Sequence, residues 1–133
     1  MASRYQIQMD FNRASQKANE LDSIADDMSR LSGTDLQNTL NSLGNDWKGD
    51  NANAYIQKGF ALKENMDKTV TSIRNTASTI RQIAKNIYDA EMEALRIAEE
   101  RAAAARRAAE EAARAAHTSS SGNSHGGGGR GFR

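Results

Sequence analysis

The stretch MDKTVTSIRNTASTIRQIAKNI, residues 66–87, decides the fold class of this chain. Its regularly spaced apolar residues are Met66, Val70, Ile73, Ala77, Ile80, Ala84 and Ile87. They alternate by four and three positions, which is the spacing of one face of an α-helix that packs against another helix. The same register extends back to Ile56 and forward to Ala98. The pattern predicts one long amphipathic helix in the second half of the chain.

The first half of the chain has the same pattern in two pieces. The apolar residues with this spacing are Ala14, Ala18, Leu21, Ala25 and Met28, and then Leu36, Leu40, Leu43 and Trp47. Met28 and Leu36 are eight positions apart, one more than a heptad, and Ser32–Asp35 lies between them. The extra residue indicates either a stutter in one helix or a break. We expect an interrupted but roughly collinear helix, capped at its start by Asp10, with residues 1–9 as a lead-in.

Turn-forming residues are scarce, and their positions divide the chain. The 133 residues include no proline, and six of the ten glycines lie in the last twelve positions. The one strong turn signal in the ordered part is the Gly/Asn/Asp cluster at 44–51. The sequence therefore predicts an all-α protein: an antiparallel helix-turn-helix hairpin over residues 1–98, an Ala/Arg/Glu-rich helical extension over 99–116, and a disordered Ser/Gly-rich tail over 117–133.

Two helices alone leave part of a wide apolar face exposed to water. Burying that face against a second hairpin gives a four-helix bundle, so we predict a dimer with Ile24, Leu31, Leu62 and Ile83 on its surface. The alternative is a monomer that exposes these residues. The candidate residues for dimer and core packing are Leu21, Ile24, Met28, Leu31, Leu36, Leu40, Leu43, Phe60, Leu62, Met66, Val70, Ile73, Ile80, Ile83 and Ile87.

Several classes of chemistry find no support in the sequence. There is no cysteine, and the two histidines, His117 and His125, lie in the predicted tail, where neither has the fixed geometry of a general base or a metal ligand. We therefore predict no enzymatic activity, no metal and no cofactor. The net charge of +1 gives no general attraction to nucleic acid. No apolar run is long enough to span a bilayer, and no apolar segment typical of a cleavable signal peptide follows Met1.

The turn carries a specific motif, Trp47-Lys48-Gly49, and Tyr55 follows eight residues after the tryptophan. With the two amphipathic helices around it, this arrangement resembles the WXG-motif family, the small helical-hairpin proteins of type VII (Esx) secretion, over residues 5–97. The resemblance implies a non-enzymatic protein that is made in the cytoplasm and secreted, folded, without a signal peptide. It implies a secreted factor, or an export partner of a larger effector.

The resemblance also implies partners and an export signal. The partner is a second copy of the chain, a related WXG-type protein or the N-terminal helical hairpin of a toxin, and a motor ATPase drives export; no small-molecule substrate is implied. In the family, the Trp-x-Gly turn of one subunit lies beside a C-terminal Tyr-x-x-x-Asp/Glu of its partner. Trp47 and Gly49 match the turn. Tyr88 has Met92 four positions on, with Glu91 and Glu93 on either side, so Tyr88 with Glu91 or Glu93 is only a related pair.

Two other functions compete with export. The first is that of a cytosolic helical adaptor, in which the hairpin only displays the long second helix. The second is nucleic-acid binding through the segment Gly129–Arg133, which resembles one copy of an RGG-type element.

Overall fold

The computed structural model describes residues 2–122, which are almost entirely helical. The helix α1 spans Arg4–Arg30, a π-helical segment spans Leu31–Leu36, α2 spans Gln37–Asp46, and α3 spans Asp50–Gly122. There is no β-strand among the described residues, which confirms the predicted all-α class. None of these helices is both long and apolar enough to cross a membrane.

The first helix begins earlier than predicted. Ser3 is its N-cap, and the Ser3 hydroxyl accepts a hydrogen bond from the Gln6 backbone N–H at 3.1 Å. Asp10 instead lies within α1 and accepts a side-chain hydrogen bond from Gln6. The lead-in predicted for residues 1–9 is therefore wrong from Arg4 onwards. The signal was present in the sequence, because Ser3 and Gln6 have the spacing of a capping box.

The π-helical segment accounts for the eight-residue spacing between Met28 and Leu36. A π turn closes hydrogen bonds over one more residue than an α turn, so it accommodates a one-residue insertion without ending the helix. The backbone stays right-handed helical at both of its ends, at Leu31 and Gln37. Met28, Ser32, Leu36 and Leu40 follow one another every four residues, and all four are buried or half-buried.

Contacts between Cα atoms divide the chain into two units, which we describe separately: residues 2–91, and the residues from Met92 onwards. In the first unit, α1 and α2 pack against the first part of α3. Arg81 pairs with Asp22 at 2.5 Å and Arg74 with Asp26 at 2.9 Å. The later residue of α1, Asp26, thus pairs with the earlier residue of α3, Arg74. This order of contacts is that of antiparallel helices.

Small residues occupy the centre of this packing. The buried apolar residues of the described chain are Ile7, Ala18, Ala25, Leu40, Ala52, Val70, Ala77 and Ala84. Alanine at a central position lets two helix backbones approach closely. Gly59 has the same effect beside α2, because a Cβ built at Gly59 would lie 2.3 Å from a methyl carbon of the buried Leu40.

Among the described residues, one polar side chain is buried together with these apolar residues. Ser32, in the π-helical segment, is fully buried, and its hydroxyl donates a hydrogen bond to an Asp67 carboxylate oxygen at 2.5 Å. The Lys63 ammonium donates to the other oxygen at 3.0 Å. The Ser32 hydroxyl and then the Lys63 ammonium lower the pKa of Asp67 below its ordinary value of 3.8. The buried hydroxyl thus has the partner that burial requires.

This cluster predicts a dependence of stability on pH. Because the pKa of Asp67 is lower in the folded than in the unfolded chain, its contribution is complete above the unfolded value of about 3.8 and is lost as pH falls through the folded value. Asp67→Asn should therefore lose less stability than the parent between pH 5 and pH 3, measured by urea unfolding. The control is Asp46→Asn, which removes an exposed carboxylate with no side-chain hydrogen bond in the described chain. An equal acid response of Asp67→Asn and the parent would contradict the prediction.

In the second unit, the described residues are the continuation of α3 from Met92 to Gly122. Arg96 forms ion pairs with Glu93 and Glu100 along this helix. Residues 104–121 are exposed. The helix ends six residues beyond Ala116, where we predicted the extension to end. The rest of the predicted tail, residues 123–133, lies outside the described residues.

Candidate functional site

The turn between α2 and α3 consists of three residues, Trp47, Lys48 and Gly49. It is shorter than the predicted segment 44–51, because α2 continues to Asp46 and α3 begins at Asp50. The Trp47 backbone is extended, and its N–H donates to the Leu43 carbonyl at 2.8 Å, which closes α2.

Gly49 immediately precedes α3 and has a backbone conformation that other residues rarely adopt. Its φ is +115°, and its carbonyl accepts a hydrogen bond from the Asn53 N–H at 3.0 Å. A Cβ at this position would have no atom within 4 Å. The need for glycine is therefore conformational and not steric.

Replacing this glycine should destabilise the fold. We expect Gly49→Ala to lower the free energy of unfolding by about 1–3 kcal/mol, because alanine must adopt a strained backbone. Chemical denaturation at fixed protein concentration measures this difference. Gly33→Ala is the matched control: Gly33 also has open space around its Cβ position but does not have a positive φ. Its stability should be unchanged or higher, and equal losses in the two variants would contradict the conformational explanation.

The Trp47 ring of the turn stacks on the Tyr55 ring of α3. We call Trp47, Tyr55 and Lys58 together the aromatic platform. The Trp47 and Tyr55 rings are stacked with centroids 5.7 Å apart and an interplanar angle of 25°. Lys58 Nζ lies 5.6 Å from the centroid of the Tyr55 ring. Trp47 remains 40% exposed and Tyr55 62% exposed. Much of this aromatic surface is therefore available to a partner.

Tyr88 and Glu91 lie elsewhere in the first unit. The Tyr88 hydroxyl donates to Gln8 Oε1 at 3.3 Å, and its ring is 5.0 Å from that of Phe11, near the start of α1. The turn, in contrast, joins the end of α2 to the start of α3. A single chain thus does not bring Tyr88 and Glu91 beside Trp47 and Gly49.

The two edges of the helix pairing differ in chemistry. One edge carries the ion pairs of Arg74 and Arg81 with α1. What we call the apolar edge is formed by four exposed residues, Ile24, Leu31, Leu62 and Ile83. Each of the four is between 50 and 54% exposed. Leu31 and Leu62 also line one open groove with Leu36 and Met66, which has a volume of about 310 Å³.

A family model described as WXG100, proteins of 100 residues with WXG, matches residues 6–92. This match covers more than half of the chain and includes the turn described above. The chain belongs to the WXG100 family. No curated protein and no solved structure is similar enough to the chain to count as a match.

WXG100 proteins are small helical substrates of type VII secretion, generally non-enzymatic, and they typically form homodimers or heterodimers. In this WXG100 protein the match ends at Met92, where the second unit begins. No group of three or more potential metal-ligating side chains was found among residues 2–122.

The structure divides the candidate packing residues of this WXG100 protein into three groups by burial. Buried are Leu40 and Val70. Half-buried are Leu21, Met28, Leu36, Met66, Ile73 and Ile80. Exposed are Ile24, Leu31, Leu43, Phe60, Leu62, Ile83 and Ile87.

The predicted list of packing residues omitted Ile7, Ser32 and Ala52. It also omitted four alanines that the spacing of four and three had placed on the packing face, namely Ala18, Ala25, Ala77 and Ala84. Ala18 and Ala25 are fully buried, as are Ala52 and Ala77. A signal for four of the alanines existed, because Ala18 and Ala25 are seven residues apart, as are Ala77 and Ala84. The prediction chose the larger apolar side chains next to these alanines as the core of the WXG100 domain, because they have more apolar surface to bury.

Proposed function

We propose that this protein is a non-enzymatic substrate of a type VII secretion system, exported folded as a dimer of helical hairpins. The observation that carries the proposal is the aromatic platform on the Trp-x-Gly turn of a WXG100 protein. Trp47 stacks on Tyr55 and is 40% exposed, so it is available for recognition by the export machinery. Outside the cell the protein acts as a secreted factor or as the escort of a larger effector.

The dimer forms through the apolar edge. Ile24, Leu31, Leu62 and Ile83 gain hydrophobic stabilisation only when a second helical surface removes them from water. The opposite edge is already occupied by ion pairs within the chain. The second hairpin is another copy of this chain or a related WXG-type hairpin, and the product is a four-helix bundle.

Pairing of two subunits also completes the export surface. Trp47 and Gly49 are at the turn, whereas Tyr88 and Glu91 are near the start of α1. An antiparallel arrangement of two hairpins places the turn of one subunit beside the Tyr88 segment of the other. We propose that the motor ATPase recognises this composite surface.

Fractionation of producing cells tests the proposal. The protein should accumulate in the medium of cells with an active motor ATPase and stay in the cell when the ATPase carries an inactivating substitution. A cytosolic marker protein, absent from the medium in both strains, controls for lysis. A protein that is wholly cytosolic during active secretion would overturn the proposal and favour the adaptor function, in which the exposed part of α3 beyond Met92 is displayed to partners.

A further inference from the structure

A partly open cavity of about 110 Å³ lies between α1 and α3, at the end of the first unit remote from the turn. Its walls include Ile7, Phe11, Ala84 and Tyr88. The Phe11 and Tyr88 rings are inclined at 48° to each other, with centroids 5.0 Å apart. These residues give the cavity an apolar wall with two aromatic rings.

Two carboxylates line the same cavity, those of Asp10 and Glu91. Asp10 accepts a hydrogen bond from the neutral Gln6 amide at 2.8 Å. Among residues 2–122, no ion pair is found for either carboxylate, and Glu91, although half-buried, has no hydrogen-bond partner. The acids that pair across the interface, Asp22 and Asp26, each have an arginine.

We propose that this cavity binds an arginine side chain of a partner protein. The three methylene groups of arginine match the apolar wall, because burying them removes hydrocarbon from water. The guanidinium group stacks on aromatic rings and donates paired hydrogen bonds to carboxylates. Two carboxylates without an ion pair among residues 2–122, beside aromatic rings, form a site for a cation with an apolar stem.

The charge of the site selects its occupant. An aliphatic side chain of similar length would fill the cavity but leave both carboxylates unpaired. A lysine would supply one compact charge, which matches a pair of carboxylates and a ring face less well than a planar guanidinium. A bare metal ion would make no use of the apolar wall.

Binding of a small probe tests this site directly. The probe is N-acetyl-arginine N-methylamide, and the matched probe is the citrulline analogue, which has nearly the same shape but no charge. In ¹H–¹⁵N spectra of the full chain, the arginine probe should shift the amide signals around Asp10 and Glu91 in a saturable way. The citrulline probe should bind at least about threefold more weakly, because it lacks the ion pair.

Variants of the protein complete the test. Glu91→Gln and Asp10→Asn should each weaken binding of the arginine probe by about two- to fivefold, and the double variant should abolish preference over citrulline. Glu93→Gln is the control, because Glu93 is already paired with Arg96. Equal binding of the two probes, shifts away from the cavity, or no saturable shift up to the solubility limit would each overturn the proposal.

The cavity shares Tyr88 and Glu91 with the proposed export surface. Binding of an arginine side chain nevertheless goes beyond export, and its failure is distinguishable from a failure of export. Binding of the probe is measured on purified protein, whereas export is measured in the culture medium. A protein that is exported but does not discriminate between the two probes would retain the proposed function and lose only the arginine site.

Discussion

Trp47→Ala should lower the amount of protein in the culture medium by at least about tenfold, the effect expected when a central aromatic contact is lost from a recognition surface. The Trp47 ring contacts Tyr55, and 40% of the residue is exposed. The substitution therefore removes part of the aromatic platform without opening a cavity in the core. The measurement is immunoblotting of medium and cell fractions at equal expression.

Two controls separate recognition from folding in that experiment. Circular dichroism of purified Trp47→Ala should show nearly the helicity of the parent, because the backbone hydrogen bonds of the turn do not involve the ring. Tyr5→Ala removes another exposed aromatic residue, which is 73% exposed and lies outside the turn, and it should be exported normally. Normal export of Trp47→Ala would exclude the turn as the recognition surface.

Leu31→Asp and Leu62→Asp together should prevent formation of the proposed dimer and leave a monomer. Each places a carboxylate on the apolar edge, where a second hairpin would remove it from water without a partner. We expect the dissociation constant of the dimer to rise at least about a hundredfold. Size-exclusion chromatography with light scattering measures the change, because it reports the molar mass. The monomer has a mass of 14.5 kDa.

The matched control for this pair is Ser23→Asp with Asn75→Asp. Both control positions are exposed, and they add the same charge on α1 and α3 away from the apolar edge. The control should remain dimeric, and both variants should keep the helicity of the parent. A parent protein that is monomeric at micromolar concentration, or an edge variant that stays dimeric, would contradict the predicted dimer surface.

The helices were predictable where their pattern was long and regular. The spacing of four and three over residues 66–87 is satisfied by one face of an α-helix, and α3 contains all of it. The start of α1 was also predictable from Ser3 and Gln6, but Asp10 offered a competing cap nearer to the first clear heptads. The regular pattern over residues 66–87 therefore predicted α3 correctly. The predicted start of α1 lies several residues too late, because the prediction placed the cap at Asp10.

The region around Ser32 shows where local patterns stop being sufficient. An eight-residue spacing between Met28 and Leu36 fits both a broken helix and a continuous one with an inserted residue. The choice depends on what the inserted turn contacts. Ser32 is buried against α3 and hydrogen-bonded to Asp67, which lies 35 positions further along the chain, and no local pattern indicates that pairing.

The sequence by itself determined the all-helical class, a turn within residues 44–51 and membership of the WXG100 family, because these depend on local spacing and on one short motif. Only the tertiary structure decided how each helix is oriented about its axis. Close approach of the helices placed the central alanines inside and left larger residues such as Leu31 and Leu62 exposed. It also placed Asp10 and Glu91, which are far apart in the sequence, beside one cavity. These outcomes depend on the distance and rotation between helices, which residues far apart in the sequence set together.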